Sequence, residues 1–302
     1  MSPSRGGVAL GVGAYLCWGF FPLYFPLLEP AGSMEVLAHR VLWSLVVVVL
    51  LLTATRRWGD LRAVVSDRRV LLVLAAASVF IAVNWGTYIY GVTHDHVIEA
   101  SLGYYFNPLV TVLLGVVVLG ERLRRTQWLA VGLAFVAVVV LTLDLGRLPW
   151  ISLVLAFSFA LYGLMKNRAG VGTVEGLGVE TAVLVPVAIA YLVVLAAQGD
   201  LTFGHAGAGN TALLITTGIV TAVPLLFFGA AATRLSLTTM GLLQYLTPTI
   251  QFFLGVVVLD EQMSSGRWVG FSLVWVALAM FSADAIAHRR RTLRVSAEAI
   301  AI

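Results

Sequence analysis

Ten apolar stretches, each about the length needed to cross a bilayer, follow one another through this chain with only short polar breaks. They are Val8–Leu28, Val36–Ala54, Val70–Val92, Ile98–Leu119, Gln127–Leu143, Trp150–Met165, Leu177–Ala197, Ala212–Thr233, Thr238–Leu259 and Trp268–Ala287. A hydrocarbon layer about 30 Å thick takes a helix of roughly 20 apolar residues. Lipid admits only helices or closed barrels, because no water is present to satisfy backbone groups. Stretches this long and continuous read as helices, so the expected fold is all-α with ten transmembrane helices. The sixth is short and defines the weakest of the spans.

Composition agrees. The chain has 302 residues, 60% hydrophobic and 11% charged, with mean hydropathy +0.96. A soluble domain carries about 25% charge, so lipid is the solvent for most of this chain. The net charge of +4 does not point to nucleic acid, because the arginines sit in short runs between apolar segments rather than on one face. Cys17 is the only cysteine, which excludes an intrachain disulfide. The segment after Arg5 is too long for the apolar region of a signal peptide, lacks a convincing cleavage site, and is expected to be a retained helix.

The basic residues set an orientation. With ten spans, all 19 lysines and arginines except Arg40, Arg147 and Arg267 fall on the side of the two termini. Such a bias predicts both termini in the cytoplasm.

The chain also repeats itself. An offset of 140 residues aligns Leu102 with Leu242, Tyr105 with Tyr245, Pro108 with Pro248, Glu121 with Glu261 and Trp128 with Trp268. It superposes LGVVVL at 114–119 on the same six letters at 254–259, and Gly32 and Glu35 on Gly172 and Glu175. Each half holds five spans. Five is odd, so the second half must run upside down relative to the first. Residues 1–146 and 147–287 are therefore expected to be two inverted five-helix repeats. Residues 288–302 form a basic cytoplasmic tail, expected to be poorly ordered. Inverted repeats with interrupted helices at matching positions mark transporters that bind near the midplane.

Polar residues inside the apolar spans are the candidate site. Tyr104, Asn107, Thr111 and Gly115 lie on one face of the fourth helix around Pro108. Gln244, Thr247, Gln251 and Gly255 do so around Pro248 in the ninth. A proline removes a helical hydrogen bond and is tolerated in lipid where the break faces protein or water. Pro108, Gly115, Pro248 and Gly255 are thus candidate bends for gating, although glycines also serve close helix packing. Asn84, Tyr88 and Gly91 form a further stripe beside Trp85, and Ser158, Tyr162 and Lys166 another; Trp18 lies mid-span. Trp18, Asn84, Tyr88, Tyr104, Asn107, Tyr162, Gln244 and Gln251 are the candidate lining of a central cavity, with interhelical packing as the alternative. His39, Arg40 and Lys166 are candidates for a charged gate or substrate contact, with snorkelling to the interface as the alternative. Glu35 is a candidate partner for Arg40. Glu121 and Glu261 read first as capping residues and second as gate elements.

No phosphate-binding loop, nucleophile elbow or zinc helix motif occurs, so an enzyme, a cofactor and a metal are not expected. His94, Asp95 and His96 read as a solvated turn.

The runs Asn84-Trp85…Tyr88-Ile89-Tyr90, Glu99–Leu109, His39–Ser44 and Leu242–Thr249 resemble the RarD branch of the EamA transporters, in the drug/metabolite transporter superfamily. The resemblance covers the chain up to its tail. It implies two EamA repeats, a bacterial inner-membrane location and secondary transport of small metabolites such as amino acids or drug-like compounds. It also implies a cavity lined by helices one, three, four, six, eight and nine, with helix two peripheral. The label of this branch, chloramphenicol-sensitive permease, names no native substrate. The expected partners are a small-molecule substrate and membrane lipid, not nucleic acid, with a proton as the candidate coupling ion. A channel-like facilitator and a non-transporting scaffold are the alternatives.

Overall fold

The structure, a computed structural model, describes residues 5–120, 122–235 and 237–300. Ten spans follow in order. The first, α1, runs Arg5–Gly19, bends by 42°, and continues through a short helix Phe21–Tyr24 and a 3-10 turn Phe25–Leu28. Pro22 and Pro26 follow the bend, where their missing N–H groups interrupt the ladder. Then come α2 (Ser33–Thr55), α3 (Arg68–Thr93), α4 (Val97–Leu119), α5 (Arg125–Leu145), α6 (Trp150–Ala169), α7 (Thr173–Gln198) and α8 (Ala208–Ala232). The ninth span, α9, is in pieces: Leu237–Leu243, Leu246–Phe253 and a π turn Leu254–Val258. α10 covers Ser265–Ile300. Among the described residues nine helices are long and apolar enough to cross a membrane, and the bent first span makes ten. A short helix, Trp58–Ser66, caps the turn between α2 and α3.

The tail departs from expectation. Residues 288–300 continue α10 as helix rather than forming an irregular segment. Its Arg, Leu and Ala content favours helix once a preceding helix supplies the nucleus.

Contacts between the halves follow a two-fold pattern. α1 packs on α8 as α6 packs on α3; α1 packs on α9 as α6 packs on α4; α2 packs on α8 as α7 packs on α3. The equivalent helices α2 with α7, α4 with α9, and α5 with α10 pack on each other. Side chains at their ends show that these partners are antiparallel. Arg124, before α5, donates to Asp284 in α10 at 2.7 Å. At the other end Ser264, before α10, donates to Asp144 in α5 at 2.5 Å. Positions 124 and 264, and 144 and 284, are equivalent under the offset of 140. Glu35 at the start of α2 accepts from the backbone of Thr202 and Phe203 beyond α7, at 3.0 and 3.1 Å. Glu175 at the start of α7 meets Arg57 beyond α2 at 2.8 Å. The second half is therefore inverted, as the odd helix count requires.

In hydrocarbon there is little hydrophobic gain from bringing helices together, so close packing must hold them. Glycine supplies it. A Cβ on Gly103 would lie 2.8 Å from the Ser152 carbonyl oxygen and 3.0 Å from its Cα, which locks α4 against α6. A Cβ on Gly255 would meet the Ile98 side chain at 2.7 Å, where α9 crosses the start of α4.

Two glycines should separate packing from propensity. Gly103→Ala gains about 1 kcal/mol of helix propensity but meets backbone, at a cost of about 1–3 kcal/mol. Its melting temperature in detergent should fall. Gly132→Ala in α5 has no atom within 4 Å of the new Cβ and should raise it. A rise for both would remove the packing role of Gly103.

Candidate functional site

Polar groups that interrupt apolar helices converge between α1, α2, α3, α4, α6, α8 and α9. Asn84 of α3 donates to the Leu155 carbonyl at 3.0 Å and to Ser158 Oγ at 3.1 Å, both on α6. Its own oxygen accepts from the Tyr104 hydroxyl of α4 at 3.4 Å. Gln251 of α9 donates to the Tyr88 hydroxyl at 2.8 Å and to the Trp18 carbonyl at 3.0 Å. Its side-chain oxygen, buried, has no partner among the described residues. The Tyr88 and Tyr104 rings lie 5.6 Å apart. One network thus joins both halves of the repeat.

Arg40 of α2 lies beside this network, against the Phe21 and Phe25 rings that in turn meet Tyr88. It is 4% exposed, and its guanidinium lies 4.2 Å from the centre of the Trp85 ring. The rings of Phe21 and Phe25 stand 5.6 and 5.8 Å away. Nε donates to Thr221 Oγ1 of α8 at 2.9 Å. None of the ion pairs among the described residues includes Arg40. This overturns two expectations. Helix two is not peripheral at this level, and Glu35 is not the partner of Arg40, because its carboxylate is taken by Thr202 and Phe203.

His39, next in sequence, faces elsewhere. Its ring stacks on Phe203 at 4.6 Å and its Nε2 lies 3.9 Å from Glu35. It belongs to the contact between α2 and the α7–α8 turn. Lys166 does not stand free as a gate cation: it pairs with Glu180 at 2.8 Å, and Tyr162 donates to the same carboxylate at 3.2 Å. Tyr162 is thereby tied to α7, and no hydrogen bond among the described residues joins it to the Asn84–Gln251 network.

Of the remaining candidates, Asn107 is buried with its side-chain oxygen unpartnered, and Gln244 sits half-buried at the break in α9. No hydrogen bond among the described residues joins either to the network. Pro248 is buried, and α9 is interrupted at Gln244 and Tyr245, just where the proline cannot donate to the carbonyl four residues back. Pro108 lies inside an unbroken α4, half-buried, with Gly115 buried about two turns on. Gly255 serves the crossing with Ile98 and falls within the π turn.

Three groups went unassigned in the sequence. Thr221 and Thr217 are four apart on one buried face of α8, a spacing that could have shown them. Phe21 and Phe25 are likewise four apart. Tyr24 donates to the Leu213 carbonyl at 2.9 Å inside the bundle.

A second constellation closes one end. Glu261, just beyond α9, accepts from the backbone N–H groups of Val97 and Ile98 at 2.5 and 3.0 Å, capping α4 of the other half. It borders a cleft of about 340 Å³ with Asp95, His96, Glu99, Asp260 and Arg267. Burial pushes its carboxyl up to about 7 from 4.5, and Asp95 adds to the rise. The Ile98 and Val97 amides and Arg267 pull the other way and lose. The expected capping role holds for Glu261, across the half boundary; Glu121 lies outside the described residues.

Comparison with known proteins places the chain among transporters. The EamA-like transporter family matches residues 5–143. The chain is 55% identical to "Protein RarD" of Streptomyces exfoliatus, covering 95% of this chain and 91% of that one. It is 45% identical to "Protein RarD" of Escherichia coli strain K12, over 96% and 98%. An "Uncharacterized transporter YojE" of Bacillus subtilis strain 168 is 40% identical, over 95% and 97%. A crystal structure with 18% identity superposes with a TM-score of 0.59, over 91% of this chain and 96% of that one, so the fold is shared.

Two measurements probe these clusters. Lys166→Met strands the Glu180 carboxylate in the protein interior and should cost about 3 kcal/mol of stability, with much of it recovered by adding Glu180→Gln. Equal melting of the single and double variants would refute the pairing. For Glu261 the folded state holds the proton more tightly than an unfolded chain. Its contribution is full below about 4.5 and is lost as pH rises through about 7. The melting temperature should fall over that window, and Glu261→Gln should flatten the fall.

Proposed function

This chain belongs to the RarD branch of the EamA family, in the drug/metabolite transporter superfamily, and from that premise we propose that it is a secondary-active transporter of small metabolites working by alternating access. It is an integral membrane protein of the transporter class. The halves 1–146 and 147–287 would rock about the network formed by Asn84, Tyr88, Tyr104, Gln251 and Trp18, exposing it to each side in turn. The single observation that carries this is that network's position: its hydrogen bonds cross between inverted halves, from α3 to α6 and from α3 to α9, the helix that is split before Pro248.

The ends support the same reading. Glu261 on α4, and Glu35 on the α7–α8 turn, tie the halves together at one end; Arg57 with Glu175 ties them at the other. Ties made of few polar contacts suit gates that open alternately, and closed ties at both ends oppose a permanent channel. The arginine distribution supports both termini in the cytoplasm of the bacterial inner membrane. Glu261, with its carboxyl up near neutral, is a candidate for coupling to a proton gradient.

The test is flux into proteoliposomes of a radiolabelled panel of amino acids and organic acids, with and without a pH gradient. Tyr104→Phe removes one hydroxyl that makes only a 3.4 Å bond. It should lower flux severalfold while leaving the melting temperature nearly unchanged. Absence of flux for every compound under every gradient counts against transport, and unchanged flux in Tyr104→Phe removes that hydroxyl from the site.

A further inference from the structure

The arginine at the centre of the bundle has no counter-charge, and this departs from the rest of the molecule. Arg57, Arg124, Arg147 and Lys166 each meet a carboxylate. The position equivalent to Arg40 in the second half is Glu180, and Glu180 has its cation, Lys166, at 2.8 Å. Arg40 is more deeply buried than any of those cations, yet among the described residues it makes one hydrogen bond, from Nε to Thr221. Its two terminal nitrogens, with four N–H groups, have no partner there.

An isolated buried charge is strongly unfavourable, because it gives up its hydration without a counter-charge. A guanidinium cannot escape by losing its proton, as a lysine can. The Trp85 ring offsets part of this through its π face, and one neutral hydrogen bond offsets less. Neither closes the gap. A ligand that brings the missing negative charge would close it, and the free nitrogens form the fork that matches a planar oxyanion in two parallel bonds.

We propose that Arg40 binds the carboxylate of an organic acid whose apolar, ring-bearing body packs against Trp85, Phe21 and Tyr88, and that acids of this class are the cargo. The assignment of cargo rests on the transporter reading; the binding site does not. The rings around the guanidinium favour an aromatic acid over inorganic phosphate, which has no apolar surface to bury. A net anion is also favoured over a zwitterion. The nearest acid in sequence, Glu35, is already held by Thr202 and Phe203. The free oxygen of Gln251 suits a hydroxyl or N–H of the cargo but does not balance an ammonium.

The experiment measures thermal unfolding and calorimetric binding on the full-length protein in lipid nanodiscs. The probes are 3-phenylpropionate, its uncharged amide, L-phenylalanine and inorganic phosphate. The carboxylate should stabilise the protein, following mass action. The amide and phosphate should not, and L-phenylalanine should bind at least about tenfold more weakly. Arg40→Gln should abolish the shift by 3-phenylpropionate. Arg40→Met should melt higher than the parent without ligand, because it removes an unbalanced charge, whereas a purely structural arginine would melt lower when replaced. The proposal is overturned by no shift with 3-phenylpropionate, by an equal shift with the amide, phosphate or L-phenylalanine, by a shift that survives Arg40→Gln, or by a lower melting point in Arg40→Met. Binding without any flux in proteoliposomes would strike the transporter reading and leave the Arg40 site standing. Flux without carboxylate binding would do the reverse.

Discussion

In a hydrocarbon solvent every polar group must find its partner inside the protein, and this requirement shapes the structure more than any apolar contact does. The acids at helix ends are spent on it. Glu99 accepts from Arg147 and from the Ile151 N–H at the start of α6. Glu261 caps α4, Glu35 holds the turn after α7, and Asp144 and Asp284 bind residues before α10 and α5. Nearly all of these contacts bridge the two halves. The halves are therefore joined by charge and backbone capping at their ends, and by glycine-mediated close approach such as Gly103 on Ser152 in between. Against that thorough pairing, Arg40 stands out as a buried cation that no carboxylate meets among the described residues.

The pseudo-two-fold arrangement is exact in topology and inexact in chemistry. Arg124 and Ser264 occupy the same place in the two halves and both reach an aspartate, one as a cation and the other as a hydroxyl. Arg40 and Glu180 are equivalents of opposite charge, one open and one closed by Lys166. Pro108 and Pro248 are also equivalents, yet α4 runs unbroken and α9 splits at Gln244. The α4 side is clamped by Glu261 at its N-terminus and by Ser152 at Gly103. The α9 side has a π turn instead, a local loosening common at functional sites. Under the alternating access proposed above, asymmetry of this kind would let one binding site face one way at a time while the repeat supplies two similar end states.

Membrane class, ten spans, inversion and the identity of most central polar residues were legible in the sequence, because each depends on a property that survives without coordinates. Span length is set by bilayer thickness, inversion by the parity of five helices, and the stripes of Asn84 and Tyr88, or of Tyr104, by helical period. The helical tail and the place of Arg40 were not legible. Periodicity gives the face of a residue on its own helix, but not which neighbour that face meets. His39 and Arg40 are adjacent, and Lys166 follows Tyr162 by one turn. Only packing sends His39 to Phe203 and Arg40 to Trp85, and closes Lys166 on Glu180.

The sequence by itself determined what solvent the chain folds in, how many times it crosses that solvent, and that its halves oppose each other. Those are consequences of hydropathy, length and counting, which are additive along a chain. Tertiary structure alone decided which charges are balanced and which is left open, because charge balance depends on distances between helices far apart in sequence, and no local pattern encodes them.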